Sequence, residues 1–246
     1  MAIVVFEHSE HFGAGIVARV MRRFGHVLRV VRPFAGEAIP PDLDDVHGVI
    51  SCGGPQAAYG SEPWLSAEMN FLRAAHEERV PVLGLCLGAQ LLAKALGGEV
   101  QRSPEPEIGW HEVALSPVGR EEPLLAGVPW RSMQLHWHHD QITRLPAGAR
   151  VLASSARTKV QAFGAGVFSV GFQYHFEWDR ELIGREMAIS SAELSQAGVD
   201  PQSLREATSR HIEASERLAE RVAERIAICL MGVDRQNRGS LRQLQH

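Results

Sequence analysis

The stretch VPVLGLCLGAQLLAKALGG, residues 80–98, passes from a short apolar run into a helical pattern, and Cys86 stands at the junction. A thiol at a helix N-terminus favours the thiolate form, because the partial positive charge of that helix end stabilises the anion. Gly84 and Gly88 flank the cysteine symmetrically, as small residues do in the elbow of serine hydrolases, where a strained turn projects the nucleophile. Cys86 is therefore a candidate nucleophile; the alternative is a buried cysteine that acts as a small hydrophobic residue.

Strand and helix patterns alternate through the first hundred residues. Strands are predicted at 2–8, 26–34, 46–52 and 80–86, and helices around 14–24, 64–79 and 86–97. This alternation predicts an α/β fold with a mostly parallel central sheet and helices on both faces. Ligand sites in such sheets lie at the carboxyl ends of the strands, where Gly53, Gly54 and Cys86 fall.

The second predicted helix is amphipathic. Its apolar face is formed by Leu65, Met69, Leu72 and Ala75. The charged residues are expected to face solvent: Glu68, Arg73, Glu77 and Glu78.

The pattern changes after residue 98. Strand-like segments dominate from 99 to 177 and predict added antiparallel structure, and a helical C-terminal extension follows. One helix is expected over 179–196, and another begins near Ser203, which is spaced from Glu206 as in a capping box. A buried stripe is predicted on the last helix at Leu218, Val222, Ile226 and Leu230. We expect residues 1–232 to form one domain, with 179–232 packed on it, and 233–246 to be a flexible tail.

His175 and Glu177 lie two residues apart in the segment VFSVGFQYHFEWD, residues 167–179. In an extended segment such residues share a face, so the carboxylate can orient the imidazole and leave its other nitrogen free to face Cys86. A Cys-His-Glu triad is the functional hypothesis. The alternative is a half-buried strand histidine beside an exposed glutamate.

The segment ISCGGPQAAYG, residues 50–60, ends an apolar run with two glycines and a proline. Backbone amides in such a turn are unobstructed and can point at a developing oxyanion. We expect Gly54 to supply one donor, and Leu87, the residue after the nucleophile, to supply the other. The alternative is a turn that only ends the strand.

Composition indicates a single globular domain without a nucleic-acid or membrane role. The chain has 246 residues, of which 45% are hydrophobic, and a net charge of −4, which gives no electrostatic reason to expect nucleic acid. Its three cysteines lack CxxC spacing, so neither a disulfide framework nor a structural zinc site is predicted, and Cys52 and Cys229 are expected to be packing residues. No segment is typical of a signal peptide or a membrane span, so a cytoplasmic location is predicted.

The segment HWHH, residues 136–139, raises the possibility of a metal site. His136 and His138 share a strand face, and Asp140 or Glu112 would have to supply a third ligand. The competing interpretation, which we favour, is a loop beside the substrate. We therefore predict neither metal nor cofactor.

Taken together, the motifs resemble those of class I, triad-type glutamine amidotransferases, especially stand-alone proteins similar to the amidotransferase half of GMP synthase. The resemblance covers most of the chain, and its specificity comes from the order and spacing of individually weak segments. These are GGPQAAYG at 53–60, PWLSAE at 63–68, PVLGLCLGAQLLAKALGG at 81–98, EIGWHEV at 107–113, WHHD at 137–140, LPAGARVLASS at 145–155, VQAF at 160–163 and FQYHFE at 172–177.

The resemblance implies hydrolysis of a γ-glutamyl amide through a Cys86 thioester, with release of ammonia. It implies that the small-molecule substrate, glutamine or a γ-glutamyl compound, is bound by Gly53 and Gln90 and near three neighbouring residues: His138, His139 and Asp140. The family usually has proline between the catalytic histidine and glutamate, whereas this chain has Phe176, which leaves the placement of Glu177 less constrained.

Three functions fit this resemblance. A glutaminase-type amidotransferase would pass ammonia to a separate synthetase subunit or end the reaction with water. A γ-glutamyl peptidase would use the same thioester chemistry on a substrate with a larger leaving amine. A regulatory module would keep the fold without catalysis, although the presence of all three triad residues argues against it.

Overall fold

Nine strands form one sheet within residues 1–232, the part of the chain that the computed structural model describes. The strands are β1 Ala2–Phe6, β2 Leu28–Val31, β3 Val46–Ser51, β4 Val82–Leu85, β5 Glu99–Leu115, β6 Arg131–Arg144, β7 Arg150–Ser154, β8 Ala162–Ala165 and β9 Ser169–Phe172. Their order across the sheet is β2-β1-β3-β4-β9-β8-β7-β5-β6. The first five strands in this order pair in parallel, and the others pair antiparallel.

Helices connect and cover these strands. They are α1 Gly15–Arg23, α2 Pro63–Glu77, α3 Leu87–Ala95, α4 Pro117–Glu121, α5 Arg180–Ile189, α6 Ser191–Gln196 and α7 Pro201–Arg225. Short 3₁₀ turns occur at Pro33–Ala35 and Pro123–Leu125, and a π-helical turn, Ile226–Leu230, follows α7. Within residues 1–232, no helix combines the length and the apolar character needed to cross a membrane.

The sheet carries an apolar core on each face, as an α/β fold requires. On one face α1 and α7 bury residues such as Val20 and Val222, and on the other α2 and α3 bury residues such as Leu72 and Leu91. A third cluster joins α5, α6 and α7 to the β5–β6 hairpin. The predicted α/β fold, with added antiparallel strands and a helical C-terminal extension, is confirmed, although the antiparallel part of the sheet is as large as the parallel part.

Several local predictions differ from the structure. The helix predicted over 179–196 is divided at Ser190 into α5 and α6, and the Ser190 hydroxyl donates to the Glu186 carboxylate. The next helix begins at Pro201, because the Asp200 carboxylate caps it by accepting from the Ser203 amide at 2.9 Å. Ser203 is thus not the capping residue.

Two further expectations concern the C-terminal part of the chain. Cys229 is exposed instead of packed, whereas Cys52 is fully buried as predicted. On the stripe of the last helix, Val222, Ile226 and Leu230 are buried and Leu218 is half-buried. The predicted tail, 233–246, lies outside the described residues.

Candidate active site

Cys86 occupies a strained turn between β4 and α3. Its backbone has φ 50° and ψ −105°, a conformation that non-glycine residues adopt rarely. Its amide donates to the Phe172 carbonyl of β9 at 2.7 Å, so the turn is anchored to the sheet. A methyl group on Gly88 would lie 2.0 Å from the carbonyl oxygen of Ser51, which explains the requirement for glycine after the cysteine. The predicted sharp turn into a helix at Cys86 is therefore present.

His175 and Glu177 form a buried pair just beyond β9. His175 Nδ1 lies 2.7 Å from Glu177 Oε1, and both side chains are at most 3% exposed. The backbone on either side is held in place: the His175 amide donates to the Leu135 carbonyl at 2.8 Å, and the Ile16 amide of α1 donates to the Glu177 carbonyl at 2.9 Å. Phe176, in the position of the usual proline, is buried against Phe172 at a ring-centroid distance of 4.8 Å.

The imidazole of His175 faces Cys86. The two side chains are neighbours beside Gly53, because a methyl group on Gly53 would lie 3.0 Å from His175 Cε1 and 3.6 Å from Cys86 Cβ. The Cys86 thiol donates to the Trp137 carbonyl at 3.8 Å. Burial lowers the pKa of His175, but the negative charge of Glu177 and the adjacent Cys86 outweigh burial and raise the pKa to about 10. This arrangement favours the protonated imidazole at neutral pH, ready to donate a proton.

A cavity of about 500 Å³ opens over Cys86 and His175. Trp178 forms part of its wall and packs against His175 at a centroid distance of 4.1 Å, with the ring planes tilted by 30°. The opposite wall comes from α5 and α6, through Glu186 and Glu193. The sequence did not single out these three residues, because only the fold of the C-terminal extension brings α5 and α6 over the sheet.

The Gly53–Gly54 turn lies against the start of α3. A methyl group on Gly54 would lie 3.0 Å from Leu87 Cδ2, so the two expected oxyanion donors are neighbours. Among residues 1–232, neither the Gly54 amide nor the Leu87 amide donates to another group of the protein. Gly54 and Leu87 both line the cavity with Cys86, so their amides remain candidate oxyanion donors.

Gln90 lies one turn of α3 beyond Cys86 and lines the same cavity. Its Nε2 donates to the Asp140 carbonyl at 3.2 Å and to Gln173 Oε1 at 3.1 Å. Gln173 in turn donates to Cys86 Sγ at 3.7 Å. A chain of amide groups therefore links Gln90 to the thiol, and Gln173 is a site residue that the sequence analysis missed, although it lies two residues before His175.

His138, His139 and Asp140 line the cavity on the side of β6. The His138 Nδ1–H donates to the Asp140 carbonyl at 3.0 Å. His139 contacts Glu193 of α6, and the Asp140 carboxylate accepts from the Tyr59 hydroxyl at 3.1 Å. The structure thus places all three predicted residues at the cavity. His138 and His139 make these contacts through their rings, and Asp140 makes them through its carbonyl and its carboxylate.

One buried cluster has the residue types of a metal site. Potential ligand atoms of Glu107, His136 and His138 lie within 4.8 Å of one another. The predicted third ligands are elsewhere: Glu112 pairs with Arg131, and the Asp140 carboxylate faces Tyr59.

Hydrogen bonds already satisfy the carboxylate of this cluster. Glu107 accepts from Gln161 Nε2 at 2.7 Å and from Ser155 Oγ at 2.6 Å, and His138 Nε2 lies 3.2 Å away. Burial alone would raise the pKa of Glu107, but hydrogen bonds from His138, Ser155 and Thr158 hold it well below the usual value. Hydrogen-bond donors of the protein therefore already occupy both oxygens of the Glu107 carboxylate.

Comparison with known proteins is consistent with this geometry. The family model described as glutamine amidotransferase class-I matches residues 12–191. A putative glutamine amidotransferase-like protein of Salmonella typhimurium, YfeJ, is 34% identical over 195 residues, which are 77% of this chain and 81% of that protein. The glutamine-hydrolyzing GMP synthase of Aeropyrum pernix is 37% identical over 174 residues, which are 71% of this chain and 32% of that enzyme.

Solved structures show the same fold. A glutamine amidotransferase from Methylobacillus flagellatus superimposes with a TM-score of 0.83 at 31% identity, covering 91% of this chain and 93% of that one. A glutamine amidotransferase from Thermotoga maritima superimposes with a TM-score of 0.82 at 28% identity, covering 92% and 97%.

Proposed function

The chain belongs to the class I glutamine amidotransferase family, and from that premise we propose that it hydrolyses a γ-glutamyl amide through a thioester at Cys86. Glutamine is the simplest such substrate, and ammonia is then the product.

One observation carries this proposal: Cys86, strained at φ 50°, lies beside the imidazole of His175, which is itself held by Glu177 at 2.7 Å. A nucleophile, a base and an orienting acid in contact are the arrangement that covalent acyl transfer needs. A strained backbone lowers the stability of a protein, so strain at Cys86 fits a residue that is held in place for its chemistry.

The chemistry follows from these positions. Cys86 Sγ, as the thiolate, attacks the δ-carbonyl carbon, and the amides of Gly54 and Leu87 stabilise the oxyanion. The C–N bond breaks as His175 passes its proton to the leaving nitrogen, so ammonia or an amine departs. Water then gives a proton to His175 and attacks the thioester, which releases the γ-glutamyl acid and restores the thiolate. Glu177 keeps the imidazole in one orientation throughout.

A γ-glutamyl peptidase is the second candidate, and the size of the cavity favours it. The cavity holds about 500 Å³ and reaches from Cys86 to Gln196 in α6, which leaves space beyond the reacting amide for a larger leaving amine. In this case the same residues perform the same steps on a γ-glutamyl peptide or amine.

We further propose that a separate chain accepts the ammonia. The aligned region covers only about a third of the Aeropyrum pernix GMP synthase, but it covers 74% of one subunit of the glutamine-hydrolyzing GMP synthase of Sulfolobus acidocaldarius. A similar division between two chains would give this protein a synthetase partner. Co-purification of an ATP-dependent synthetase with the tagged chain would support that partnership.

A substrate screen tests the proposed function. Purified protein is incubated with glutamine, a γ-glutamyl dipeptide and a γ-glutamyl alkylamine, and release of glutamate is measured beside the Cys86→Ala variant. The proposal predicts turnover that is absent in the variant. Preference for glutamine supports the amidotransferase, and preference for a larger amide supports the peptidase. No turnover of any of the three, alone or with a co-purified partner, would contradict both and leave a non-catalytic module.

A further inference from the structure

Glu68 does not face solvent, in contrast to the sequence prediction. It lies in the middle of α2 and is 0% exposed. Its Oε2 lies 2.8 Å from His8 Nε2, and its Oε1 accepts from the Ser51 hydroxyl at 2.7 Å. His8, two residues beyond β1, is also 0% exposed and stacks on Trp64 at a centroid distance of 5.1 Å. A carboxylate buried this deeply requires a partner, and His8 is that partner.

Both ring nitrogens of His8 face oxygen atoms that only accept hydrogen bonds. Nε2 faces the Glu68 carboxylate, and Nδ1 lies 3.0 Å from the Cys52 carbonyl. Both nitrogens therefore carry protons, and His8 is an imidazolium. Burial lowers the pKa of His8, but Glu68 and the carbonyls of Cys52 and Gly53 outweigh burial and raise it.

The imidazolium lies directly beneath the turn that carries the Gly54 amide. A methyl group on Gly54 would lie 2.5 Å from His8 Cβ, and Gln56 Nε2 donates to the His8 carbonyl at 3.0 Å. The Cys52 carbonyl also accepts from the Gly88 amide of α3 at 3.0 Å, so this one oxygen joins His8 to the turn that holds Cys86.

These contacts hold the peptide unit that joins Cys52 to Gly53. In a trans peptide the N–H points away from the carbonyl of the preceding residue. His8 Nδ1 and the Gly88 amide both hold the Cys52 carbonyl, so the Gly53 amide of that peptide unit points away from His8, and Gly54 follows it at the wall of the cavity.

We propose that His8 and Glu68 are positioning residues, which hold the Gly53–Gly54 turn so that the Gly54 amide is directed at the oxyanion formed during attack by Cys86. The Glu68 charge keeps His8 doubly protonated. The protonated Nδ1 then donates to the Cys52 carbonyl and so holds the turn in place. This inference rests on the proposed function and adds to it the source of the preorganised oxyanion site.

The Glu68→Gln variant tests the role of the charge. Glutamine preserves the volume but carries no charge, so it no longer stabilises the doubly protonated imidazole of His8. We expect kcat for γ-glutamyl p-nitroanilide to fall about tenfold to a hundredfold, near the lower limit of what deleting one oxyanion donor costs, with little change in KM. Alkylation of Cys86 by iodoacetamide forms no oxyanion and should keep its rate. The His76→Gln variant, on the same helix but bonded to Ser169, is the matched control.

Two substitutions of His8 separate positioning from simple packing. Asparagine places its amide nitrogen near the position of Nδ1 and can still donate to the Cys52 carbonyl, whereas glutamine reaches the position of Nε2 and contacts only Glu68. The proposal predicts that His8→Asn retains a higher kcat than His8→Gln. Equal loss in both, or the reverse order, would overturn it, as would loss of alkylation in parallel with kcat in Glu68→Gln.

Hydrogen exchange keeps this test independent of the proposed function. In the free protein, exchange of the segment 52–56 should be faster in Glu68→Gln than in the wild type and the His76→Gln control, whether or not a substrate is known. Unchanged exchange in that segment would overturn the inference. Absence of hydrolysis by the wild type, with faster exchange in the variant, would contradict the proposed function alone.

Discussion

His175 Nδ1 and Glu177 Oε1 lie 2.7 Å apart, with Phe176 between them in the chain. The proline that usually separates such residues fixes φ, and here packing replaces that restriction. Phe176 is 3% exposed and contacts the rings of Phe172 and Tyr174, so the aromatic core holds the backbone extended. The two side chains therefore meet on one face, as an i, i+2 pair in an extended segment does.

Loss of the Glu177 charge should slow the reaction without preventing folding. In Glu177→Gln the amide no longer stabilises the imidazolium, and the ring orientation is lost. We expect kcat to fall about 10²- to 10⁴-fold with a small change in KM, by analogy with removal of the orienting acid from other triads. Steady-state hydrolysis assays measure this effect. Glu181→Gln, an exposed glutamate paired with Arg185, serves as control and should keep wild-type kcat. Wild-type kcat in Glu177→Gln would exclude an orienting role.

Replacement of Phe176 should reduce stability. The Phe176→Ala variant leaves a cavity beside Phe172, and we expect the free energy of unfolding to fall by about 3–5 kcal/mol, as for other buried phenylalanines. Urea denaturation followed by tryptophan fluorescence provides the measurement. Val167→Ala, at an 81% exposed position, should change the stability little. A negligible effect of Phe176→Ala would show that packing is not what replaces the proline.

The nucleophile turn should tolerate no side chain at Gly88. A methyl group there would lie 2.0 Å from the Ser51 carbonyl oxygen, which belongs to the backbone and cannot move aside alone. Gly88→Ala should therefore abolish soluble expression or lower the melting temperature strongly. Gly184→Ala in α5, where nothing lies within 4 Å, should be neutral or stabilise the protein by up to about 1 kcal/mol. Thermal melts that place both variants at the wild-type temperature would contradict this explanation.

Stability should depend on pH through His8. Its pKa is raised in the folded protein relative to the value of 6.5, because the Glu68 charge and two carbonyls outweigh burial. The folded state therefore binds a proton that the unfolded state releases, and the stabilisation is complete below pH 6.5 and is lost as pH rises through the folded pKa. The slope is at most about −1.4 kcal/mol per pH unit.

The Glu68→Gln variant isolates this contribution. Its difference in unfolding free energy from the wild type should shrink as pH rises above 6.5, as measured by urea denaturation at a series of pH values. A difference that stays constant or grows with pH would show that His8 is not protonated in the folded protein.

Much of the fold was accessible from local patterns. Strands β1 to β4 and helices α1 to α3 were predicted to within a few residues, because their apolar periodicity is short-range. Cys86 was identified by its place between such a strand and helix. The pairing of His175 with Glu177 followed from the period of two residues in extended chains.

The remaining features depend on contacts distant in the sequence. Glu68 was expected in solvent because its charge fits the polar side of an amphipathic helix, and its partner His8 is 60 residues away. Glu107 was not connected with His138 for the same reason, since β5 and β6 meet only in the sheet. The break at Ser190 lies within a segment of helical periodicity, so the periodicity alone did not reveal it.

Active-site labelling shows which cysteine of the protein is the nucleophile. A chloroketone analogue of glutamine is added to a Cys229→Ser protein, which lacks the exposed thiol, and the modified peptide is identified by mass spectrometry. We expect one thioether adduct, on Cys86, that is prevented by glutamine and absent in the Cys86→Ala variant. An adduct on Cys52, or labelling that persists without Cys86, would contradict this expectation.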